Sequence, residues 1–295
     1  MSKTAVEPQP IKALSGDTPW QQTVKEPISI EGKGLFTGVS TRMILHPAPP
    51  NHGVVFRSQG VDIAATIDYV TQTPRCTMLG KDGVQVICTE HLLSALFACR
   101  VDNVLIEVQG PEVPILDGSA RPFCEQLDSV GCLEQEVLAR VGSLHKSVVW
   151  YEGDVSLVAL PSQQLQMTYV LQYAAHPLLA LQVADWDGTH IAYQQQIAPN
   201  RTFSTQEELQ PLIDQGLIRG GSVDVGVVFQ RERVLNPEGL RFANEPARHK
   251  ILDLCGDISL LGCRLCCKIV AVRSGHRSNI AFSQKLRGKL HYDSN

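Results

Sequence analysis

The sequence predicts an α+β fold of two similar halves, each a sheet covered by helices. Three observations carry the prediction. A helix-then-strand pattern occurs twice, as ICTEHLLSALFACRVDNVLIEV over 87–108 and as RHKILDLCGDISLLG leading into CKIVAV over 248–272. Each of those helices opens on a histidine-bearing dipeptide. Strand-like alternation fills 28–48 and 53–70, ahead of the first helix. Helix-then-strand also recurs in α/β proteins without any duplication, and the halves agree in pattern rather than in identity.

The elements follow in chain order. Residues 1–22 are polar, lack an apolar signal core and are expected to form a mobile tail. ISIEGKGLFTGVSTRMILHPA, 28–48, reads as strands around a turn holding Gly32, Gly34 and Gly38. The first helix is expected over 89–99, with Thr89 as N-cap and Leu92, Leu93, Leu96 and Phe97 as its apolar face. Asp102 and Asn103 make a turn into the strand VLIEV. GPEVPILDGSARPF, 110–123, is a loop rich in turn residues. A boundary falls near 138–148, giving domains over 23–143 and 144–295. The segment 201–229 reads as a short strand, a helix over 205–215 capped by Ser204, a turn at Gly220 and Gly221, and a strand.

Composition bounds the function. Hydrophobic residues make up 43% and charged residues 19% of 295, as in ordinary globular proteins. The net charge of −4 offers no basic surface for nucleic acid. No apolar run approaches the roughly 18 residues of a membrane-spanning helix. The nine cysteines are odd in number and several sit in apolar runs, so reduced thiols in a cytoplasmic compartment are expected. Cys263 and Cys266 have the spacing of half a zinc site, with no second C-x-x-C to complete it.

The chemistry centres on RHKILDLCGD. Residues four apart share a helix face, so His249 and Asp253 can offer an imidazole and a carboxylate to one point, with Asp257 a turn further on. An amphipathic helix with solvated charges would show the same spacing. His91 would complete a set of two imidazoles and one carboxylate, the donors of a catalytic zinc that keeps a place for water. Glu90 is then the natural base, although an acid at a helix start is also favoured by the helix dipole. His276 could protonate a leaving amine, held cationic by Asp257. Thr202 could steady an oxyanion, and Lys250 could add positive charge beside the metal. Taken singly, His276 also fits a surface loop and Lys250 a solvated helix. Spacing alone leaves these readings open.

The same patches resemble one family: ICTEHLLSAL, VDNVLIEVQGPEVPILDGSARPF, NRTFS, GLIRGGSVD, RVLNPEGLRFANEPARHKILDLCGD and SGHRSN are similar to the zinc-dependent UDP-3-O-acyl-N-acetylglucosamine deacetylases of lipid A synthesis. The resemblance covers roughly 22–288. It implies two similar α+β domains, each a sheet packed against two helices, with the active site between them. It implies one zinc ion on His91, His249 and Asp253. Glu90 would be the general base, His276 the general acid, Asp257 the residue that orients and charges it, and Thr202 the oxyanion hydroxyl. Lys250 and Phe203 would contact substrate. The 201–229 insert, with Gly221 and Ser222, would build the passage for the acyl chain. A cytoplasmic monomer is expected. Phe36 departs from the pattern, because the family commonly has histidine in that turn.

Overall fold

In the computed structural model, residues 18–174 and 176–292 are described. Residues 1–17 of the expected tail lie outside that range. Its last residues do not behave as a tail: Trp20–Val24 is a strand paired antiparallel with Cys132–Leu138. The cause is specific side-chain anchoring that hydropathy does not reveal. The Gln21 amide donates to Asn51 Oδ1 at 2.8 Å, and Arg264 Nη2 donates to the Trp20 carbonyl at 2.9 Å.

Among the described residues there are six α-helices: α1 (Glu90–Ala98), α2 (Arg121–Val130), α3 (His190–Ala192), α4 (Gln206–Asp214), α5 (Glu245–Ser259) and α6 (His276–Arg287). The first sheet runs in the order Ile28–Lys33, Ser40–Pro47, Val104–Gln109, Val54–Ser58, Val61–Ala64. All neighbours are antiparallel except Val54–Ser58 against Val104–Gln109. In the second sheet Val148–Glu152, Val155–Pro161, Arg264–Val272, Gln166–Leu171 and Gln182–Trp186 repeat that order, again with only the third and fourth parallel. In both halves the central strand follows the histidine-bearing helix and precedes a second helix, α2 or α6. The halves are therefore two copies of one topology. Val141–Ser143, which the sequence placed in the first half, adds to the second sheet beside Arg264–Cys266.

One apolar cluster runs from Met43, Phe56 and Ile106 of the first sheet through Leu92, Leu96, Ile251 and Leu254 to Leu157, Met167 and Ile269 of the second. The strands alternate buried and exposed residues, whereas α1 is buried on nearly every side. A helix buried all round belongs in an interior layer, and α1 packs along α5 there. Gly256 allows that approach. A Cβ at this position would lie 2.2 Å from the Glu90 carbonyl oxygen.

Several boundaries differ from expectation. Thr89 does not cap α1, because its hydroxyl donates to the Thr77 carbonyl at 3.1 Å. α4 starts at Gln206 and is capped by Thr205, whose hydroxyl accepts from the Glu208 amide; Ser204 Oγ instead donates to Glu208 Oε2. The 110–123 segment is a loop only to Ala120, where α2 begins.

Candidate active site

The first turn of α1 presents Glu90 and His91, and successive turns of α5 present His249, Asp253 and Asp257. All five are at most 4% exposed, so none is a solvated surface charge. His249 Nε2 lies 3.3 Å from Asp253 Oδ1, and His91 Nε2 lies 3.6 Å from the same oxygen. Donor atoms around a tetrahedral zinc, at ~2.0–2.1 Å from the metal, are about 3.3 Å apart. The His249 tautomer is set from behind, because Nδ1 donates to the Asn200 carbonyl at 3.0 Å. Burial depresses the His249 pKa, although Asp253 pulls the other way. The neutral ring then turns an Nε2 lone pair toward a carboxylate oxygen, and two acceptors at that distance call for a cation between them. The donor set fits a divalent metal ion held by His91, His249 and Asp253.

Lys250 extends the charge pattern. Its Nζ donates to Asp253 Oδ2 at 2.7 Å and lies 5.5 Å from the Phe203 ring centroid. Burial opposes ionisation of Asp253, but His249 and Lys250 outweigh it and hold this carboxyl well below the usual range. Burial likewise opposes the Lys250 charge, and Asp253 overcomes it.

A second network lies beside the first. His276 is the first residue of α6 rather than part of a loop, with Gly275 at the N-cap. A helix N-terminus disfavours a cation, so this position needs compensating acids. Asp257 Oδ2 accepts from His276 Nδ1 at 2.8 Å, and Glu90 Oε1 lies 3.8 Å from His276 Nε2. Burial would lower the His276 pKa, yet Asp257 and Glu90 prevail and push it up to about 10. Burial raises Glu90 above the ordinary carboxylate range, against the pull of His276 and His91. The pair is thus a buried base and a buried cationic acid within one proton-transfer distance of the same space.

That space is a cleft of about 480 Å³ lined by Glu90, His91, Thr202, Phe203, Lys250, Asp253 and His276. His249 and Asp257 stand behind its wall. Gly221 and Ser222 do not line it. They line a neighbouring apolar cavity of about 340 Å³, with Leu209, Ile213, Ile218 and Val223. Leu35, Phe36, Thr202 and Phe203 border both spaces. Phe36 thus presents an aromatic face where the two meet.

Four supporting groups carried no sequence signal. Thr77 donates its amide to Glu90 Oε2 at 2.9 Å and its hydroxyl to Asp257 Oδ1 at 2.5 Å, so one residue sets both acids. Asn279 donates to Asp257 Oδ2 at 2.8 Å. It lies three residues after His276, a spacing that would have marked it once α6 was recognised. Buried Arg201 and Glu245 form a two-pronged pair, Nε to Oε1 at 3.0 Å and Nη2 to Oε2 at 3.2 Å, tying the Thr202 segment to the start of α5.

Comparison with known proteins gives a consistent result. The chain is 38% identical to the UDP-3-O-acyl-N-acetylglucosamine deacetylase of Chlamydia pneumoniae over 271 residues, 90% of this chain and 96% of that protein. It is 39% identical to the enzyme of that name from Syntrophotalea carbinolica, covering 90% and 87%. For the one from Myxococcus xanthus the identity is 37%, covering 90% and 86%. A family model matches residues 21–288, spanning both copies of the fold and every residue placed around the cleft, and the chain belongs to the UDP-3-O-acyl N-acetylglycosamine deacetylase family.

Proposed function

We propose that this protein removes the N-acetyl group from UDP-3-O-acyl-N-acetylglucosamine, releasing acetate and UDP-3-O-acyl-glucosamine for lipid A synthesis. The observation that carries the reading is a buried base and a buried cationic acid facing three converging metal donors in one cleft. Zinc would be held by His91, His249 and Asp253, and when bound it supplies a Lewis acid for the amide carbonyl and a more acidic water. Glu90, raised by burial, takes the proton from the attacking water. The Thr202 hydroxyl and the Lys250 ammonium steady the oxyanion of the tetrahedral intermediate. His276 holds its proton on Nε2, because Nδ1 is committed to Asp257, and gives it to the leaving amine. Burial keeps bulk water from competing for these protons.

The apolar cavity beside Gly221 and Ser222 supports an acyl-chain site, and we assign Phe203 and Lys250, which line the cleft, to substrate contact. We take the two domains to meet between Leu138 and Val141, because Cys132–Leu138 pairs with Trp20–Val24 while Val141–Ser143 joins the second sheet, with 201–229 forming the passage. No helix among the described residues is long and apolar enough to cross a membrane; separately, we propose a cytoplasmic monomer. Acetate release from substrates of graded acyl length, with zinc measured on the same sample, tests the reading. Rates that ignore the acyl chain would refute the role of the second cavity. Zinc-loaded protein that releases no acetate at any length would refute the activity.

A further inference from the structure

Away from the cleft, Cys99, Asp128 and His190 form a second group of metal-ligating side chains among the described residues. They come from three elements: Cys99 ends α1, Asp128 lies on α2 and His190 opens α3. Cys99 Sγ is 3.5 Å from His190 Nε2, and that nitrogen is 3.6 Å from Asp128 Oδ1. All three ligand atoms lie within 4.8 Å of one another. A tetrahedral ion with ~2.3 Å bonds to sulfur and ~2.0–2.1 Å bonds to nitrogen or oxygen sets its donors about 3.3–3.6 Å apart. Cys124, one helical turn before Asp128 and 2% exposed, shares a thiol hydrogen bond with Cys99 but stands outside the group of three.

We propose that Cys99, Asp128 and His190 bind a second, thiophilic divalent ion such as zinc, with the fourth position left to water. A sulfur, an imidazole and a carboxylate suit a d-block ion rather than magnesium or calcium. The second Asp128 oxygen accepts from the Gln194 amide, which would hold the carboxylate in its binding orientation. The Cys99 thiol is buried, while the Asp128 and His190 side chains are 43% and 37% exposed. The ion would therefore enter from the solvent side and close against the thiol. The contact with Cys124, and then burial, hold the Cys99 thiol protonated in the free protein. Metal must displace the thiol proton, so its affinity rises with pH. Arg100 and Cys132 also border the group, and the Arg100 charge opposes a second cation there. The ion would fasten α3 to α1 and α2, joining the two halves on the side away from substrate.

The test is a cobalt titration of reduced, metal-free, full-length protein. The catalytic set contains no thiolate, so sulfur-to-cobalt charge-transfer absorption reports the second site. The expected result is such a band, bleached by zinc, with a second metal equivalent per chain. Asp128→Asn and His190→Gln, both at partly exposed positions that leave the core intact, should weaken that equivalent about tenfold or more while the first equivalent and turnover persist. Cys99→Ser should abolish the band. A single equivalent without a thiolate band would overturn the proposal. So would a band that neither Asp128→Asn nor His190→Gln moves.

Discussion

Gly256→Ala should be the most informative single change. In an isolated helix the substitution stabilises by about 1 kcal/mol, because alanine is the better helix former. Here the added Cβ would sit 2.2 Å from the Glu90 carbonyl oxygen, 2.9 Å from its carbonyl carbon and 3.0 Å from its Cα. Ordinary carbon–oxygen contact is near 3.3 Å, so the two helices must part by about 1 Å. The obstacle is backbone and cannot rotate aside. Overpacking of this kind costs about 1–3 kcal/mol, which exceeds the propensity gain. The larger effect should be on chemistry. Glu90 and His91 ride on α1 while His249 and Asp253 ride on α5, and a misplacement of ~1 Å can cost about a hundredfold in rate. Urea denaturation and acetate-release kinetics on the same preparation would measure both. A variant stabilised by about 1 kcal/mol with unchanged turnover would refute the claim that Gly256 sets the helix separation.

Other expectations follow from the same geometry. Glu90→Gln should lower turnover about 10²–10⁴-fold while metal content stays at the wild-type level, read by kinetics and elemental analysis. His249→Ala should instead lose the catalytic metal, which elemental analysis of the same protein would show. His276 is raised from 6.5 to about 10, so its contribution to stability is complete below pH 6.5 and is lost as pH rises through about 10. The stability gap between wild type and His276→Gln should close over that window in denaturant melts. Asp257→Asn removes a charge that raises His276 and should move the alkaline limb of kcat/KM to lower pH, against no shift if Asp257 is only structural. Arg201→Met strands the Glu245 carboxylate at zero exposure and should cost about 3–5 kcal/mol in a thermal melt.

Much of the site was legible because helix spacing is a strong constraint. His249, Asp253 and Asp257 could be assigned to one face from spacing alone, and the structure places them on successive turns facing the cleft or its rear wall. His91 was conspicuous because a polar residue before an apolar helix face needs a reason. Thr77 was illegible, because its role rests on a contact with Asp257 across 180 positions of sequence. The helix α6 was missed because its polar sequence, HRSNIAFSQKLR, buries one face only, and its glycine N-cap gives no side-chain cue. The strand at Trp20–Val24 was missed for the reverse reason: it is held by a buried glutamine and an arginine rather than by an apolar pattern. The repeat itself was visible as helix-then-strand, but the shared strand order was not. Pairing between distant strands leaves no local trace.

The repeated strand order divides the metal donors unequally between the copies. The first contributes one imidazole from α1, and the second an imidazole and a carboxylate from α5. Neither copy alone holds three donors, so the site exists only where the two copies meet. The helix in one copy carries Glu90, and the helix in the other carries Asp257, which accepts from His276. The seam between the copies is chemically asymmetric, and their likeness lies in the strand order, away from the donors.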